Sequence, residues 1–536
     1  MVSLEHKMIK AELIQRREEG CQTEIIESRI QEALDRRASE EEFLNLYEEL
    51  VSLPVADTSP YREPSTLEEI RAERPDGARN FDCDMSDDDL FNRIYGAWLG
   101  RAAGCALGKP VEGWPKARID KYLDDMGVLP LDDYIPFHDK LLPAVHKPST
   151  RNNISYMDRD DDMDFPILGL LALERQGSNF GARTMAHVWL EFMPFSTLYT
   201  AENAAYRNFV MSKWPPESAS FRNPFREWIG AQIRADIFGY VAPGNPEKAA
   251  ELAFYDASIS HEKNGIYGEM FVSAMLASAF VLDDVEEIVA AGLSEIPRHS
   301  RLAEAINDTL DWCREEPDWE VIWRKINEKY GHYHGVHTIN NAALVVMGLW
   351  LGQRDYERGI VTTVLGGWDT DCNGATVGSI LGLMRGAEAL PKKWVGVFND
   401  RLISAVRTEN ENKISDLAKR TLAVAKELEK GSEEIKVPVL SGDASGSWAL
   451  DTPWGPQVLN LSEGTIQFTG PDGLDIPTSA VSKSSFQNPE LKFSYSIEKG
   501  SWDYELDFEG TINGDKLEGV YYPGGENIRG KRIFEE

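Results

Sequence analysis

Two aspartates stand two residues apart in the glycine-led stretch Gly366-Gly367-Trp368-Asp369-Thr370-Asp371-Cys372-Asn373-Gly374. Like charges this close are unfavourable unless a proton or a cation neutralises them, and hard oxygen donors suit Mg²⁺, Mn²⁺ or Ca²⁺. A solvated turn that caps a helix is the alternative for an isolated pair. The small residues that follow predict a helix over 375–390. Its face of Gly378, Gly382 and Gly386 predicts close contact with a neighbouring helix.

A second acidic cluster favours the cation interpretation. Asp160, Asp161 and Asp162 stand just before the apolar run 165–173, which predicts a buried helix. Capping the start of a helix uses one or two acidic residues, so three exceed what capping requires. Two such clusters in one chain predict a shared site for two divalent cations.

A third segment, residues 94–113, has small residues at helical spacing. It predicts a tightly packed helix that ends at Gly108, because Pro110 prevents its continuation. Glu112 follows on the loop. A glutamate in such a position is usually a solvated charge, so Glu112 gains significance only from the other two segments.

Together the three segments resemble the ADP-ribosylglycohydrolase family, from about residue 89 to about residue 428. Pro110-Val111-Glu112-Gly113 is similar to the P-x-E-G that follows a glycine-rich first helix in that family. Asp369-Thr370-Asp371 resembles its G-G-D-T-D-T, after an extra Trp368, and the aspartates at 160–162 resemble its T-D-D-T. The resemblance implies an all-α fold with two Mg²⁺ or Mn²⁺ ions in a central cleft. It also implies cleavage of the N- or O-glycosidic bond that joins ADP-ribose to a side chain or small molecule.

The resemblance also implies roles for individual residues. The implied metal ligands are Asp160, Asp161, Asp162, Asp369, Asp371 and Cys372. The acids of the T-D-D-T equivalent are either the first two or the last two of the aspartates at 160–162, so all three are candidates. Glu112 is the candidate for the carboxylate that orients or deprotonates the attacking water, with Asp161 as the second candidate.

Cys372 departs from the family pattern, because the family has a threonine there that ligates a metal through its hydroxyl. A soft sulfur is a poor partner for Mg²⁺. Either a water replaces this ligand or the metal differs.

Further stretches resemble family positions near the substrate, although a histidine at the start of a helix is more often a cap or a core residue. The histidines at 332–337 lack the spacing of a known zinc motif. The predicted substrate-binding residues are His261, Gly265, Tyr267, Gly268, His337, Asn340 and Trp368.

Whole-chain properties limit the possible partners. The 536 residues predict two or three domains, and the net charge of -33 argues against contact with a nucleic-acid backbone or an anionic membrane. Five dispersed cysteines without a C-x-x-C motif indicate a reducing cytoplasm. No signal-peptide pattern and no stretch of membrane-spanning length is present, so we expect a cytoplasmic protein. The oligomeric state is left open.

The expected organisation is multi-domain. Residues 1–84 form an N-terminal helical extension and linker, which either docks on the catalytic domain or mediates dimerisation. Residues 85–430 form the all-α ADP-ribosylglycohydrolase-like catalytic domain. Residues 437–536 form an antiparallel β domain, a barrel or a sandwich, whose alternating pattern predicts strands at 447–450, 457–461, 465–468, 491–497, 504–510 and 517–522.

The predicted function is a divalent-metal-dependent hydrolase that acts on an ADP-ribosylated protein or small molecule. An alternative is a related N- or O-glycoside hydrolase of ribosylated or glycosylated small molecules, which the altered threonines and the β domain suggest. A third possibility, from another class, is a catalytically silent ADP-ribose-binding or scaffold protein. The two acidic clusters argue against it, because a scaffold has no need for so many like charges in one place.

Overall fold

The computed structural model describes residues 4–177 and 180–432 and nine strands after them. The chain divides into two compact units, Met1–Glu429 and Lys430–Glu536. The domain boundaries at residues 84 and 437 stay predictions. Among the helices that the structure describes, none combines the length and the apolar character that crossing a bilayer requires.

The first unit begins with three amphipathic helices, α1 (Leu4–Glu18), α2 (Glu24–Asp35) and α3 (Glu40–Val51). They pack around a small core that includes Ile30 and Phe43. A short helix, α4 (Leu67–Glu73), follows in the linker. These helices are the amphipathic elements that the sequence pattern predicts.

The rest of the first unit is a body of helices with one short hairpin, β1 (Arg401–Ile403) and β2 (Glu411–Lys413). The prediction that this region is helical is confirmed. The helices of the body are α5 (Asp87–Gly108), α6 (Lys116–Asp125), α7 (Asp161–Gln176), α8 (Ala182–Phe192), α9 (Thr200–Val210), α10 (Glu217–Ser220), α11 (Asp236–Tyr240), α12 (Pro246–Ala257), α13 (Asn264–Ser278), α14 (Val285–Leu293), α15 (Arg301–Glu315), α16 (Trp319–Tyr330), α17 (Thr338–Gly352), α18 (Tyr356–Leu365), α19 (Thr370–Arg385), α20 (Lys392–Val395) and α21 (Ile414–Ser432).

Two helix starts differ from the sequence expectation. α7 begins at Asp161 rather than at Phe165, and α19 begins at Thr370 rather than at Ala375. Polar residues are stable in a first turn because the free backbone amides there interact with them. Asp161, Asp162 and Asp371 therefore lie in the first turns, and Asp160 and Asp369 are the N-caps.

Helices α5 and α19 run antiparallel with their backbones in direct contact. A Cβ atom built on Gly100 would lie 2.0 Å from the carbonyl oxygen of Gly378, and one on Gly108 would lie 2.1 Å from that of Thr370. The close contact predicted from the glycine spacing is confirmed. Because the helices are antiparallel, the end of α5 meets the start of α19, and Glu112 comes close to Asp371.

The second unit contains one antiparallel sheet with the strand order β6-β5-β4-β3-β11-β10-β9-β8-β7. Trp448 and Phe508 are among its buried side chains. The antiparallel β prediction is confirmed, whereas a barrel or a sandwich stays a prediction. The strands are β3 (Gly446–Thr452), β4 (Gly455–Ser462), β5 (Thr465–Thr469), β6 (Asp475–Ile476), β7 (Val481–Gln487), β8 (Glu490–Lys499), β9 (Trp502–Asn513), β10 (Lys516–Tyr522) and β11 (Glu526–Ile533).

Strands β6, β7 and β11 were not predicted. β7 is rich in serine and β11 in charged residues, so neither shows the alternation of apolar and polar residues that marks a strand. The backbone of β7 is held by antiparallel pairing with the adjacent strand β8. β11 is held between β10, which precedes it in the chain, and β3, which lies about 80 residues away.

Candidate metal centre and active site

Acidic and sulfur donors gather where α5 ends and where α7 and α19 begin. They form three groups, which we call the inner, middle and outer groups, and the donor atoms within each group lie within 4.8 Å of one another. The inner and middle groups share Asp162, and the middle and outer groups share Asp371. The inner group is Cys105, Asp160 and Asp162, the middle group is Asp162, Asp371 and Cys372, and the outer group is Glu112, Asp369 and Asp371.

The start of α7 brings two of its three consecutive aspartates into these groups. Asp160 is the N-cap, and its Oδ1 accepts a hydrogen bond of 3.2 Å from the backbone amide of Asp162. Both side chains are buried. Asp161 is only half-buried and belongs to none of the three groups that the described residues form.

A buried arginine, Arg101 of α5, holds Asp162. Its Nε donates to the Asp162 carbonyl oxygen at 2.7 Å, and its Nη2 lies 3.1 Å from Asp162 Oδ1. Its Nη1 pairs with Asp236 at 2.6 Å. Asp162 is thereby fixed through Oδ1, while its Oδ2 accepts no hydrogen bond from the residues that the structure describes. Sequence reasoning missed Arg101, although a single charge inside a run of small residues was a usable signal.

The start of α19 is held from two sides. Asn341 Oδ1 accepts hydrogen bonds from the Asp369 amide at 3.3 Å and from Asn373 Nδ2 at 2.7 Å. On the other side, the hydroxyl of Thr370 donates to the Gly108 carbonyl at 2.8 Å. These contacts orient the turn through its backbone and leave the two carboxylates for another partner. Asn341 was also missed.

The loop that carries Glu112 is fastened to the turn before Asp369. The Gly113 amide donates to the Trp368 carbonyl at 2.9 Å, and the Trp368 amide donates to the Trp114 carbonyl at 3.2 Å. Trp368 adopts a positive φ of 63° in this turn. Glu112 is exposed, but it faces the acidic groups and is therefore not an isolated surface charge.

Burial and mutual repulsion raise the pKa of the carboxyl groups at this site. Burial is the main cause that raises the pKa of Asp162 and Asp371 well above the ordinary range, and it raises the pKa of Asp369 to about 6. Protein atoms crowd the exposed Glu112 carboxyl, and this desolvation, with the charges of Asp369 and Asp160, raises its pKa to about 7. A bound cation would stabilise the ionised form of carboxyl groups whose pKa is raised in this way.

The donor set fits divalent cations. Asp162 Oδ2 and Asp371 Oδ1 are buried and have no hydrogen-bond partner among the residues that the structure describes. An unpartnered buried carboxylate oxygen is costly, and a cation removes that cost. Both oxygens belong to side chains of the middle group, so the cation would bind there.

His261 lies outside the three acidic groups, as do the glycines near it. His261 is buried, with Nδ1 2.8 Å from Ser260 Oγ and Nε2 3.8 Å from Glu202. Gly265 and Gly268 are packing positions of α13, where a Cβ would meet backbone or side-chain atoms within 2.5 Å. Their role in substrate binding stays a prediction.

Tyr267 and His337 are covered by the N-terminal segment. The Tyr267 hydroxyl donates to the Pro64 carbonyl, and His337 Nε2 lies 3.8 Å from Glu18 Oε2. Asn340 is buried as well, and its Nδ2 donates to the His334 carbonyl at 3.2 Å. Of the seven predicted substrate residues, only Trp368 is partly exposed.

Buried ion pairs hold the N-terminal segment against the helical body. Glu19, directly after α1, lies 2.7 Å from Arg226 and 3.0 Å from Lys263, and Glu12 of α1 lies 2.9 Å from Arg226. Gln15 donates to Glu227 at 2.6 Å. Of the two roles considered for the N-terminal helices, the structure shows docking.

The family model for ADP-ribosylglycohydrolases matches residues 86–431. The chain belongs to the ADP-ribosylglycohydrolase family. Members of this family hydrolyse glycosidic bonds and generally use divalent metals. Membership confirms the resemblance that the three motifs indicated.

Two further similarities are weaker. The uncharacterized protein YegU of Escherichia coli (strain K12) is 22% identical over 316 residues, which cover 56% of this chain and 89% of YegU. A solved structure described as an ADP-ribosylglycohydrolase-related protein complex is 18% identical, with a TM-score of 0.42, over 64% of this chain and 99% of that chain.

Proposed function

We propose that this protein is a divalent-metal-dependent hydrolase that cleaves the N- or O-glycosidic bond of an ADP-ribosylated protein or small molecule. The observation that carries the proposal is the sharing of Asp371 between the middle and outer groups. A carboxylate shared in this way suits two cations, Mg²⁺ or Mn²⁺, held side by side. Unpartnered oxygens on Asp162 and Asp371 support the same arrangement.

When bound, the two ions would supply Lewis-acid polarisation of water and of sugar hydroxyls. The remaining chemistry belongs to the side chains. Glu112 is exposed at the edge of the outer group and has a pKa near neutrality, so it can orient a water and accept its proton. Buried carboxylates around it favour the positive charge that develops on the ribose in an oxocarbenium-like transition state.

An aromatic surface lies beside the acidic groups. Trp368 directly precedes Asp369 and is partly exposed. Trp368 lies close to Gly335, because a Cβ atom built on that glycine would be 3.9 Å from Trp368 Cδ1. The preceding residue, the exposed His334, stacks on Trp228 with ring centroids 4.2 Å apart. Such rings offer stacking faces for a purine base or a sugar. Trp228 and His334 therefore join Trp368 as candidate substrate contacts.

A second candidate is a related N- or O-glycoside hydrolase of ribosylated or glycosylated small molecules. The observation that favours it is the burial of Tyr267 and His337 against the N-terminal segment. With these side chains covered, fewer groups remain for a large ADP-ribosyl substrate. A compact glycoside needs only the acidic groups and the aromatic surface.

Turnover assays distinguish these functions. ADP-ribosylated arginine and serine peptides, free glycosides and nucleosides would be tested with Mg²⁺, with Mn²⁺ and with chelator. Asp371→Asn is the inactive variant, and Asp125→Asn, at an exposed carboxylate of α6, is the matched control. Metal-dependent release of ADP-ribose that is lost only in Asp371→Asn supports the first proposal, and release of a simple sugar or base supports the second. Saturable binding of ADP-ribose without any turnover would indicate the binding or scaffold protein.

A further inference from the structure

The middle and outer groups offer different donor atoms. The middle group contains the sulfur of Cys372 beside the carboxylates of Asp162 and Asp371, whereas the outer group contains carboxylates alone. We propose that the two positions select different metals: a thiophilic transition-metal ion such as Zn²⁺, Fe²⁺ or Co²⁺ in the middle group, and Mg²⁺ in the outer group. This inference rests on the metal centre of the proposed function and adds the chemistry of each position.

The middle group has the geometry of a closed ion site. Cys372 is 8% exposed, Asp371 is 4% exposed and Asp162 is fully buried. Two donors bound to one ion at about 2.0–2.3 Å lie at most about 4.6 Å apart. Donor atoms that lie within 4.8 Å of one another therefore need little movement to reach a common ion. The unpartnered Asp162 Oδ2 and Asp371 Oδ1 supply the oxygens.

Donor type and burial together disfavour Mg²⁺ in the middle group. Sulfur favours thiophilic ions over Mg²⁺, and Mg²⁺ dehydrates reluctantly, so it usually keeps several waters. The buried middle group offers little access for waters. The outer group includes the exposed Glu112, where water can remain on a hard ion.

The inner group is not a third metal position. Lys109 Nζ lies 3.4 Å from Asp160 Oδ2, and Arg101 Nη2 lies 3.1 Å from Asp162 Oδ1. Asp160 is therefore paired with Lys109, Arg101 occupies the Asp162 oxygen that the middle group does not use, and an ion beside Cys105 would face two positive charges. This leaves Cys372 as the sulfur ligand and makes Cys105 a matched control in the same acidic surroundings.

Cobalt provides a direct test on the full chain after metals have been removed with chelator. Co²⁺ bound to a thiolate gives a near-ultraviolet charge-transfer band, whereas Co²⁺ bound to oxygen does not. We expect the first equivalent of Co²⁺ to give this band and to resist excess Mg²⁺. The second equivalent should add no band and should be displaced by Mg²⁺. Cys372→Ser should lose the band, while Cys105→Ser and Cys313→Ser, which alters a buried cysteine outside the three groups, should keep it.

Three results would overturn the inference. Two bound equivalents without a charge-transfer band would show that no sulfur touches an ion, and Mg²⁺ that displaces both equivalents alike would show that the positions do not differ. Loss of the band in Cys105→Ser but not in Cys372→Ser would place the sulfur ligand in the inner group. Absence of any bound Co²⁺ would overturn the metal centre itself, so the failure of the proposed function is distinguishable from the failure of this inference alone.

Discussion

A Cβ atom on Gly104 would lie only 1.8 Å from the carbonyl oxygen of Gly374, so the backbones of α5 and α19 touch at this point. Glu112 follows α5, and Asp369 and Asp371 stand at the start of α19. The separation of the two helices therefore sets the separation of the donors in the outer group.

Gly104→Ala should lower both stability and metal affinity. The added methyl group overlaps the Gly374 backbone, and overpacking of this kind costs about 1–3 kcal/mol or more. Thermal unfolding and calorimetric metal titration would measure the two effects. Gly396→Ala is the control, because Gly396 is exposed, has a φ of -70° and has its nearest atom at 3.8 Å. Equal melting temperatures for the parent and both variants would show that the helices can separate without cost.

Arg101→Met should destabilise the protein strongly. It removes the cation that pairs with Asp162 and Asp236, and removing one partner of a buried ion pair costs about 3–5 kcal/mol. Denaturant unfolding would measure the loss. The control is Arg314→Met, which breaks surface pairs with Glu286 and Asp311 and should have little effect. If both variants unfold like the parent, Arg101 does not hold Asp162.

Asp371→Ala should abolish binding at both metal positions, because Asp371 is the one residue that the middle and outer groups share. Isothermal titration calorimetry should find two equivalents of Mn²⁺ in the parent. It should find none bound with comparable affinity in the variant, while the exposed-site control Asp125→Ala keeps both. Circular dichroism would check that the helices persist. A variant that still binds two ions would refute the sharing of Asp371.

Without metals, Asp369 should make folding less favourable as pH rises. Its folded-state pKa of about 6 lies above its ordinary value of 3.8. The stability that it contributes is therefore complete below about pH 4 and is lost as pH rises through 6. In the presence of chelator, the free energy of unfolding of Asp369→Asn should rise relative to that of the parent by on the order of 1–3 kcal/mol between pH 5 and pH 8. Denaturant midpoints at the two pH values would measure the gain. A constant difference between the two proteins would argue against a raised pKa.

Glu112→Gln should reduce turnover far more than stability. The substitution keeps the size of this exposed side chain and one oxygen that can ligate a metal. It removes the carboxylate that accepts the proton. A general base contributes about 10²–10⁴-fold to the rate. The measurement is kcat at saturating metal, with the melting temperature recorded in parallel. Turnover within a few-fold of the parent, with metals bound, would move the search for the base to the aspartates at 160–162.

The sequence by itself determined the helical class of residues 85–430, the antiparallel β class of the C-terminal region and the family. Local patterns were sufficient for these. Glycines four residues apart on one helix face predict a close backbone contact, and Asp369 and Asp371 in one turn carry like charges that favour a neutralising partner. The acidic motifs that the sequence singled out are the ones that meet at the candidate metal centre.

Only the tertiary structure decided which residues complete that centre. Arg101 contacts Asp162 and Asp236, which lie 61 and 135 residues away, and Asn341 contacts Asp369, which lies 28 residues away. The cover over His337 likewise comes from α1 at the other end of the unit. No local sequence pattern predicts such pairs, because helix periodicity depends on neighbours within one or two turns. These contacts exist only after the helices have packed.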